Sequence, residues 1–241
     1  MRISATLAAA FFAVASLAIS GCRMPSAFVH SGGELLRKGW SSFTPRGAAV
    51  MDDSTLWDPS KNSPAEIGEC DWTFAASGEM NVARLAVKAD YFVGEGGEEK
   101  PEGLEWLGRQ LAAAERAGLL VLVDMHIPPG GAVEDYRQTD ENAKFWASPK
   151  LMGRFVDAWR AVASRYRHDR RVMGYELMNE PSGDPGAYWK LMDEAAQAIR
   201  GVDRNHLIVV QPASDGLLRR FKDGNFAYSI HFYAPLSFTH Q

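Results

Sequence analysis

Short apolar runs alternate along this chain with stretches whose apolar residues recur at helical spacing. The runs predict buried strands and the spaced residues predict helices with one apolar face. Arg46 to Met51 reads as a first strand, and Ala65 to Ser77 as a helix closed by Gly78. Asn81 to Val87 is a β-type run holding one charge, Arg84. Leu104, Leu107, Leu111 and Ala114 share a helical face, and Gly118 ends that helix. Leu119 to Val123 is continuously apolar, as in a strand covered on both faces. A long loop from Ile127 to Ala147 follows, and Ser148-Pro149 opens a helix with Leu151, Phe155, Trp159, Val162 and Tyr166 on its apolar side. Val172 to Leu177 is the next strand. Asp184-Pro185 then caps a helix facing inward through Tyr188, Leu191, Ala195, Ile199 and Val202. Leu207 to Val210 and Phe226 to Phe232 complete the set.

Six strands alternating with helices predict a parallel sheet with crossover helices. The alternation alone fits both an open doubly wound sheet and a (β/α)8 barrel with two units missing. In either case ligands bind at the carboxyl ends of the strands.

The first residues lie outside this pattern. Met1-Arg2 is a short positive start, Ile3 to Ile19 is apolar and Ala-rich, and Ser20-Gly21-Cys22 follows. Residues 1–21 therefore read as a secretory signal. Ile19-Ser20-Gly21-Cys22 resembles the lipobox of bacterial lipoproteins, which implies cleavage before Cys22 and acylation of its sulfur. The chain is then expected to be exported and lipid-anchored to the cell envelope, or periplasmic, touching membrane only through the acyl group. Residues 22–40 are polar and uneven and read as a tether, leaving 41–241 as one domain. With 241 residues and 46% hydrophobic content the chain can bury one sizeable core. A net charge of −4 gives no reason to expect nucleic acid as a partner.

Polar residues gather where strands end. Asp124 and His126 close the third predicted strand, Asn179 and Glu180 the fourth, His231 and Tyr233 the sixth. Arg84 sits inside the second, where a buried cation needs an anion. Two chemistries fit. Glycoside hydrolysis needs a protonated carboxylic acid and a second carboxylate, about 5 Å apart in retaining enzymes and about 6.5–9.5 Å in inverting ones. Metal-assisted hydrolysis could use Asp124, His126, His231 and Glu180 as ligands. Trp146 and Tyr136, in the long loop, are candidates for stacking on a sugar or packing on the rim.

The order of these motifs resembles glycoside hydrolase family 5, the cellulase-like family of (β/α) barrels. Gly78-Glu79-Met80-Asn81-Val82-Ala83-Arg84-Leu85 is similar to its second strand, and Val123-Asp124-Met125-His126 with Pro128-Pro129-Gly130-Gly131 to its third. Leu177-Met178-Asn179-Glu180-Pro181 is similar to its fourth. Ser229-Ile230-His231-Phe232-Tyr233 with Pro235, then Phe238-Thr239-His240-Gln241, is similar to its sixth strand and following loop. The resemblance implies a (β/α)8 barrel with six units present, and retaining hydrolysis of β-linked glucan or mannan without a cofactor or metal. It implies Glu180 as acid/base with a raised pKa, and Asn179 on the sugar 2-hydroxyl. It places Arg84 beside the nucleophile, His126 along the cleavage subsite, His231 near Glu180 and Tyr233 near the nucleophile. The family's nucleophile, a Glu ending the seventh strand, has no counterpart up to Gln241. The sequence therefore reads as a fragment, expected to be inactive or poorly folded alone, with Arg84 and Tyr233 lacking partners. A glycan-binding lipoprotein that does not cut is the alternative.

Overall fold

The structure is a computed structural model that describes residues 26–32, 35–58, 60–131, 140–213 and 218–234. The signal stretch, Cys22, Tyr136 and the motif residues from Pro235 onward lie outside the described residues.

Six strands form one parallel sheet: β4 (Gly47–Val50), β5 (Val82–Lys88), β6 (Leu120–Ile127), β7 (Val172–Glu176), β8 (Leu207–Val210) and β9 (Phe226–Tyr228). Each strand pairs with the next in sequence, so the order runs β4-β5-β6-β7-β8-β9 without reversal. A doubly wound sheet reverses at a switch point, whereas a (β/α) barrel winds steadily in one sense. The strand order thus separates the two architectures that alternation left open.

Helices α2 (Glu69–Ala75), α3 (Pro101–Arg116), α5 (Pro149–Tyr166) and α6 (Pro185–Val202) cover the sheet. Their starts follow the sequence signals. Ser148 Oγ accepts from Leu151 N at 3.3 Å, Asp184 Oδ1 accepts from Ala187 N at 2.7 Å, and proline occupies the first helical position of α3, α5 and α6. Helix α2 begins later than expected because Asp71 reaches back to the Gly68 N–H at 3.1 Å and sets the start there. Two short helices stand where loops are predicted, α1 (Asp53–Leu56), capped by Asp52, and α4 (Asp140–Ala147). Gly103 lets α3 approach closely, since a Cβ there would lie 1.8 Å from the Tyr91 carbonyl oxygen. The core between helices and sheet is built from Leu107, Leu111, Phe155, Trp159, Tyr175, Met192 and Ile199, all buried. Trp159 donates its indole N–H to Leu177 O at 3.0 Å, tying α5 to the end of β7.

The expected tether is largely folded. Residues β1 (Val29–Ser31), β2 (Leu36–Lys38) and β3 (Ser41–Ser42) form a three-stranded antiparallel sheet. Its strands are too short to carry a readable alternation, yet Val29 is buried against Val82, Met173, Leu207 and Val209. Val82, Met173 and Leu207 lie at the amino-terminal ends of their strands, so the small sheet packs at the end of the parallel sheet opposite the predicted site.

The same end holds a buried polar network. Asp203 Oδ2 lies 2.5 Å from His206 Nδ1 and accepts from the Tyr175 hydroxyl at 2.8 Å, while His206 Nε2 lies 2.9 Å from Asp169 O. Phe28 packs edge-on against the His206 ring at 4.8 Å. Burial pushes the Asp203 carboxyl up, but bonds from His206, Asn205 N–H and Tyr175 outweigh it and hold the group below its usual range. A carboxyl depressed on folding contributes stability above its unfolded value near ~4, and that stability is lost as pH falls through the folded value. We expect Asp203→Asn to cost about 1.5–3 kcal/mol at neutral pH. The variant should also lose less stability than wild type between about pH 5 and pH 3 in urea unfolding. Parallel pH curves for the two proteins would contradict this account.

Candidate active site

The carboxyl ends of β5, β6, β7 and the segment after β9 bring the predicted residues together. Arg84 enters from β5 and is paired, contrary to the expectation that it lacks an anion. Its Nε donates to Glu176 Oε2 at 2.6 Å, its Nη2 to Asn179 Oδ1 at 2.8 Å, and its Nη1 lies 3.0 Å from Asp124 Oδ2. Burial opposes its charge, but the two carboxylates outweigh that and hold the guanidinium protonated. Asp124 and Glu176 are both 0% exposed. Neither is open to a sugar, and both serve to fix Arg84.

His126 follows from β6. Its Nδ1 lies 2.6 Å from Asp124 Oδ2 and its Nε2 3.4 Å from Asn179 Nδ2. An amide nitrogen only donates and a carboxylate only accepts, so the neutral ring carries its proton on Nδ1. Asn179 is then oriented at both ends, oxygen toward Arg84 and nitrogen toward His126. The alternative metal set does not gather: Asp124 and His126 bind each other, and among the described residues no three such side chains form a cation cage.

Glu180 follows Asn179 with φ +39°, a left-handed backbone that costs a non-glycine residue about 1–3 kcal/mol. Gln211 Oε1 accepts from Glu180 N at 2.7 Å and Asn179 N donates to Met125 O at 3.2 Å, which pins the turn. The turned backbone directs the side chain to the segment after β9. There His231 Nδ1 lies 2.8 Å from Glu180 Oε1, and the Tyr233 hydroxyl donates to the same oxygen. Tyr233 thus binds Glu180 here. The pKa of Glu180 also departs from expectation. The His231 bond pulls it down, burial pushes back, and the Tyr233 bond tips the balance below the usual value.

Three further residues belong to the site. Glu176 carries the same sequence signal as Arg84, a charge inside an apolar strand. Trp57 packs edge-on against His126 with centroids 5.2 Å apart. Its loop is held by Lys88, whose buried ammonium donates to Asp58 O at 2.7 Å and Lys61 O at 3.0 Å. Gln211 ends the β8 side of the pocket. Nothing in the Asp-, Ser- and Pro-rich loop or after β8 marks Trp57 or Gln211 in the sequence. Trp146 packs on Phe145 and Tyr188, with centroids at 5.0 and 6.5 Å, so rim packing is its observed role.

Comparison with known proteins agrees with this fold. The chain is 33% identical over 152 residues to Endoglucanase C of Acetivibrio thermocellus, covering 60% of this chain and 43% of that protein. It is 29% identical over 173 residues to Glucan 1,3-beta-glucosidase 1 of Schizosaccharomyces pombe, covering 70% and 40%. The chain spans less than half the length of these two relatives. The crystal structure of endoglucanase Cel5A from Thermotoga maritima superposes with a TM-score of 0.63 at 21% identity, over 81% of this chain and 63% of that one. Residues 50–241 match the family model for cellulase, glycosyl hydrolase family 5, and the chain belongs to that family.

Proposed function

We propose that the protein hydrolyses β-linked glucan with Glu180 as general acid/base. The observation that carries this reading is Glu180 itself, turned out of a strand end by a strained backbone and held by His231 and Tyr233 beside the Arg84–Asn179–His126 network. In this reading the Nδ2 amide of Asn179 meets the sugar 2-hydroxyl, and His126 with Trp57 forms the wall of the cleavage subsite. Retention, which the family resemblance implies, requires a nucleophile carboxylate about 5 Å from Glu180. Asp124 and Glu176 are engaged with Arg84 and do not take that part. The endoglucanase and glucosidase names of the relatives support β-glucan, with β-mannan as the second polysaccharide. The test is release of reducing ends from β-1,4-glucan, β-1,3-glucan and β-mannan by the protein expressed from its natural reading frame. Release from none of them refutes the proposal.

One observation favours glycan binding without cleavage: Glu180 is held toward its ionised form, and an acid must carry a proton. Retention of glycan on the purified protein with no new reducing ends would establish that reading instead.

We further propose export and lipid anchoring through Cys22, on the strength of the Ile19 to Cys22 tetrad. Labelled fatty acid should enter the wild-type chain and not the Cys22→Ser variant. Equal labelling of the two excludes the anchor.

A further inference from the structure

Glu180 faces a conflict. A general acid must be protonated when it meets the leaving oxygen, yet His231 and Tyr233 both favour its carboxylate. The source of a proton is visible one step behind. Glu176 lies four positions upstream on the same strand end and is fully buried. Its Oε2 is taken by Arg84, and its Oε1 has no hydrogen-bond partner. That oxygen lies 4.0 Å from His231 Nε2, and the opposite nitrogen of the same ring lies 2.8 Å from Glu180 Oε1. One imidazole thus stands between two carboxyl groups.

The charge balance of the cluster points to where a proton resides. Asp124 and Glu176 share one guanidinium, so with both ionised the buried trio carries one excess negative charge. A buried excess charge is relieved by binding a proton. Asp124 and Glu176 each leave one buried oxygen without a hydrogen-bond partner, and that of Glu176 is the one facing an imidazole nitrogen, His231 Nε2 at 4.0 Å. Burial and the Asp124 charge push the Glu176 carboxyl up, and only part of this is offset by Arg84 and the Ser229 hydroxyl. The groups facing Glu176 are therefore Arg84 from β5, Asp124 from β6, and Ser229 and His231 from the segment after β9. Tyr188 of α6 also feels its charge.

We propose that Glu176 holds a proton at neutral pH and that His231 relays it to Glu180, making Glu176 the proton-holding residue behind the acid/base. At the start Glu176 is a neutral acid, His231 is neutral with its proton on Nδ1, and Glu180 is ionised. The Glu176 O–H bond breaks as its proton binds His231 Nε2, and the Nδ1–H bond breaks as that proton binds Glu180 Oε1. At the end Glu176 is ionised against Arg84, His231 is neutral with its proton on Nε2, and Glu180 is a neutral acid. The three groups carry one negative charge before and after. The 4.0 Å separation must shorten by about 1 Å for the first transfer, a small rotation of a side chain at the pocket surface. The ion pair formed at the end, Glu176 with Arg84, offsets the bonds that Glu180 gives up.

This inference rests on Glu180 acting as the general acid, but its test needs no turnover. Infrared spectra of the full chain labelled with 13C-glutamate, recorded near pH 7, should contain the carbonyl stretch of a protonated glutamic acid. The band should persist in Glu180→Gln and vanish in Glu176→Gln, which keeps an acceptor for Arg84. No such band in wild type, or a band that survives Glu176→Gln, overturns the proposal, and the wild-type spectrum decides the matter if that variant fails to fold. Nitrogen-15 spectra should find the His231 ring neutral with its proton on Nδ1, using His231→Asn for assignment. A doubly protonated ring, or a proton on Nε2 alone, overturns the relay. Failure of the protein to release reducing ends counts against hydrolysis and leaves both spectra unchanged.

Discussion

Glu180→Gln is expected to cut the release of reducing ends from β-glucan by about 10²–10⁴-fold, the usual contribution of general acid–base catalysis. The amide keeps the size and shape of the side chain and an oxygen for Tyr233 and His231, so the variant should fold, at the cost of the stability that the depressed carboxylate contributes at neutral pH. The loss should depend on the leaving group. A substrate whose departing group is stable as an anion needs no proton and should lose far less than a natural polysaccharide, whose departing sugar oxygen must be protonated. A variant that retains activity within tenfold of wild type on both substrates would remove Glu180 from the acid role.

The second large effect is on stability. Arg84→Met should destabilise the fold by about 3–5 kcal/mol, because it leaves the Asp124 carboxylate buried without its cation and takes the donor from Glu176. That is a substantial part of the 5–15 kcal/mol typical of a domain. The deficit should narrow as pH is lowered toward about 5. A carboxyl whose folded pKa is raised binds more protons folded than unfolded, so acid favours the folded state. Adding Glu176→Gln should restore part of the loss, since it removes an acid whose ionisation would put a second buried charge beside Asp124. Urea unfolding at several pH values checks all three statements, and a loss below about 1 kcal/mol for the single variant would mean that water, not Arg84, compensates the acids.

How far the sequence foretells this arrangement differs from residue to residue. The helices are legible because Ser148-Pro149 and Asp184-Pro185 carry local capping chemistry, which needs no distant partner. The winding of the barrel is not, because alternation of strands and helices says nothing about which strand neighbours which. Glu180, Asn179, His126 and His231 stand at strand ends and were legible on that ground. Glu176 was not singled out, although a lone acid in the run Val172 to Leu177 is the mirror of the lone Arg84 two strands away. Recognising one buried charge should prompt a search for its opposite on a neighbouring strand. Trp57 is placed by Lys88, through contacts between a strand end and loop carbonyls that leave no periodic trace. Tyr233 bonds the Glu180 carboxylate across 53 positions, a contact that no local spacing marks.

The small antiparallel sheet at the amino terminus has a kinetic consequence. Ser31 N donates to Asn225 Oδ1 at 2.8 Å, across 194 positions, and Val29 packs on Leu207 and Val209. The sheet precedes in the chain the surface it covers, which includes Leu207, Val209 and Asn225. Each parallel strand can dock on its predecessor, whereas the small sheet must wait for partners up to 194 positions further on. Loop closure of that length is slow to reward. Residues 29–42 thus reach their final place only after the strands they cover, and the apolar side chains they expose meanwhile are what a chaperone would hold.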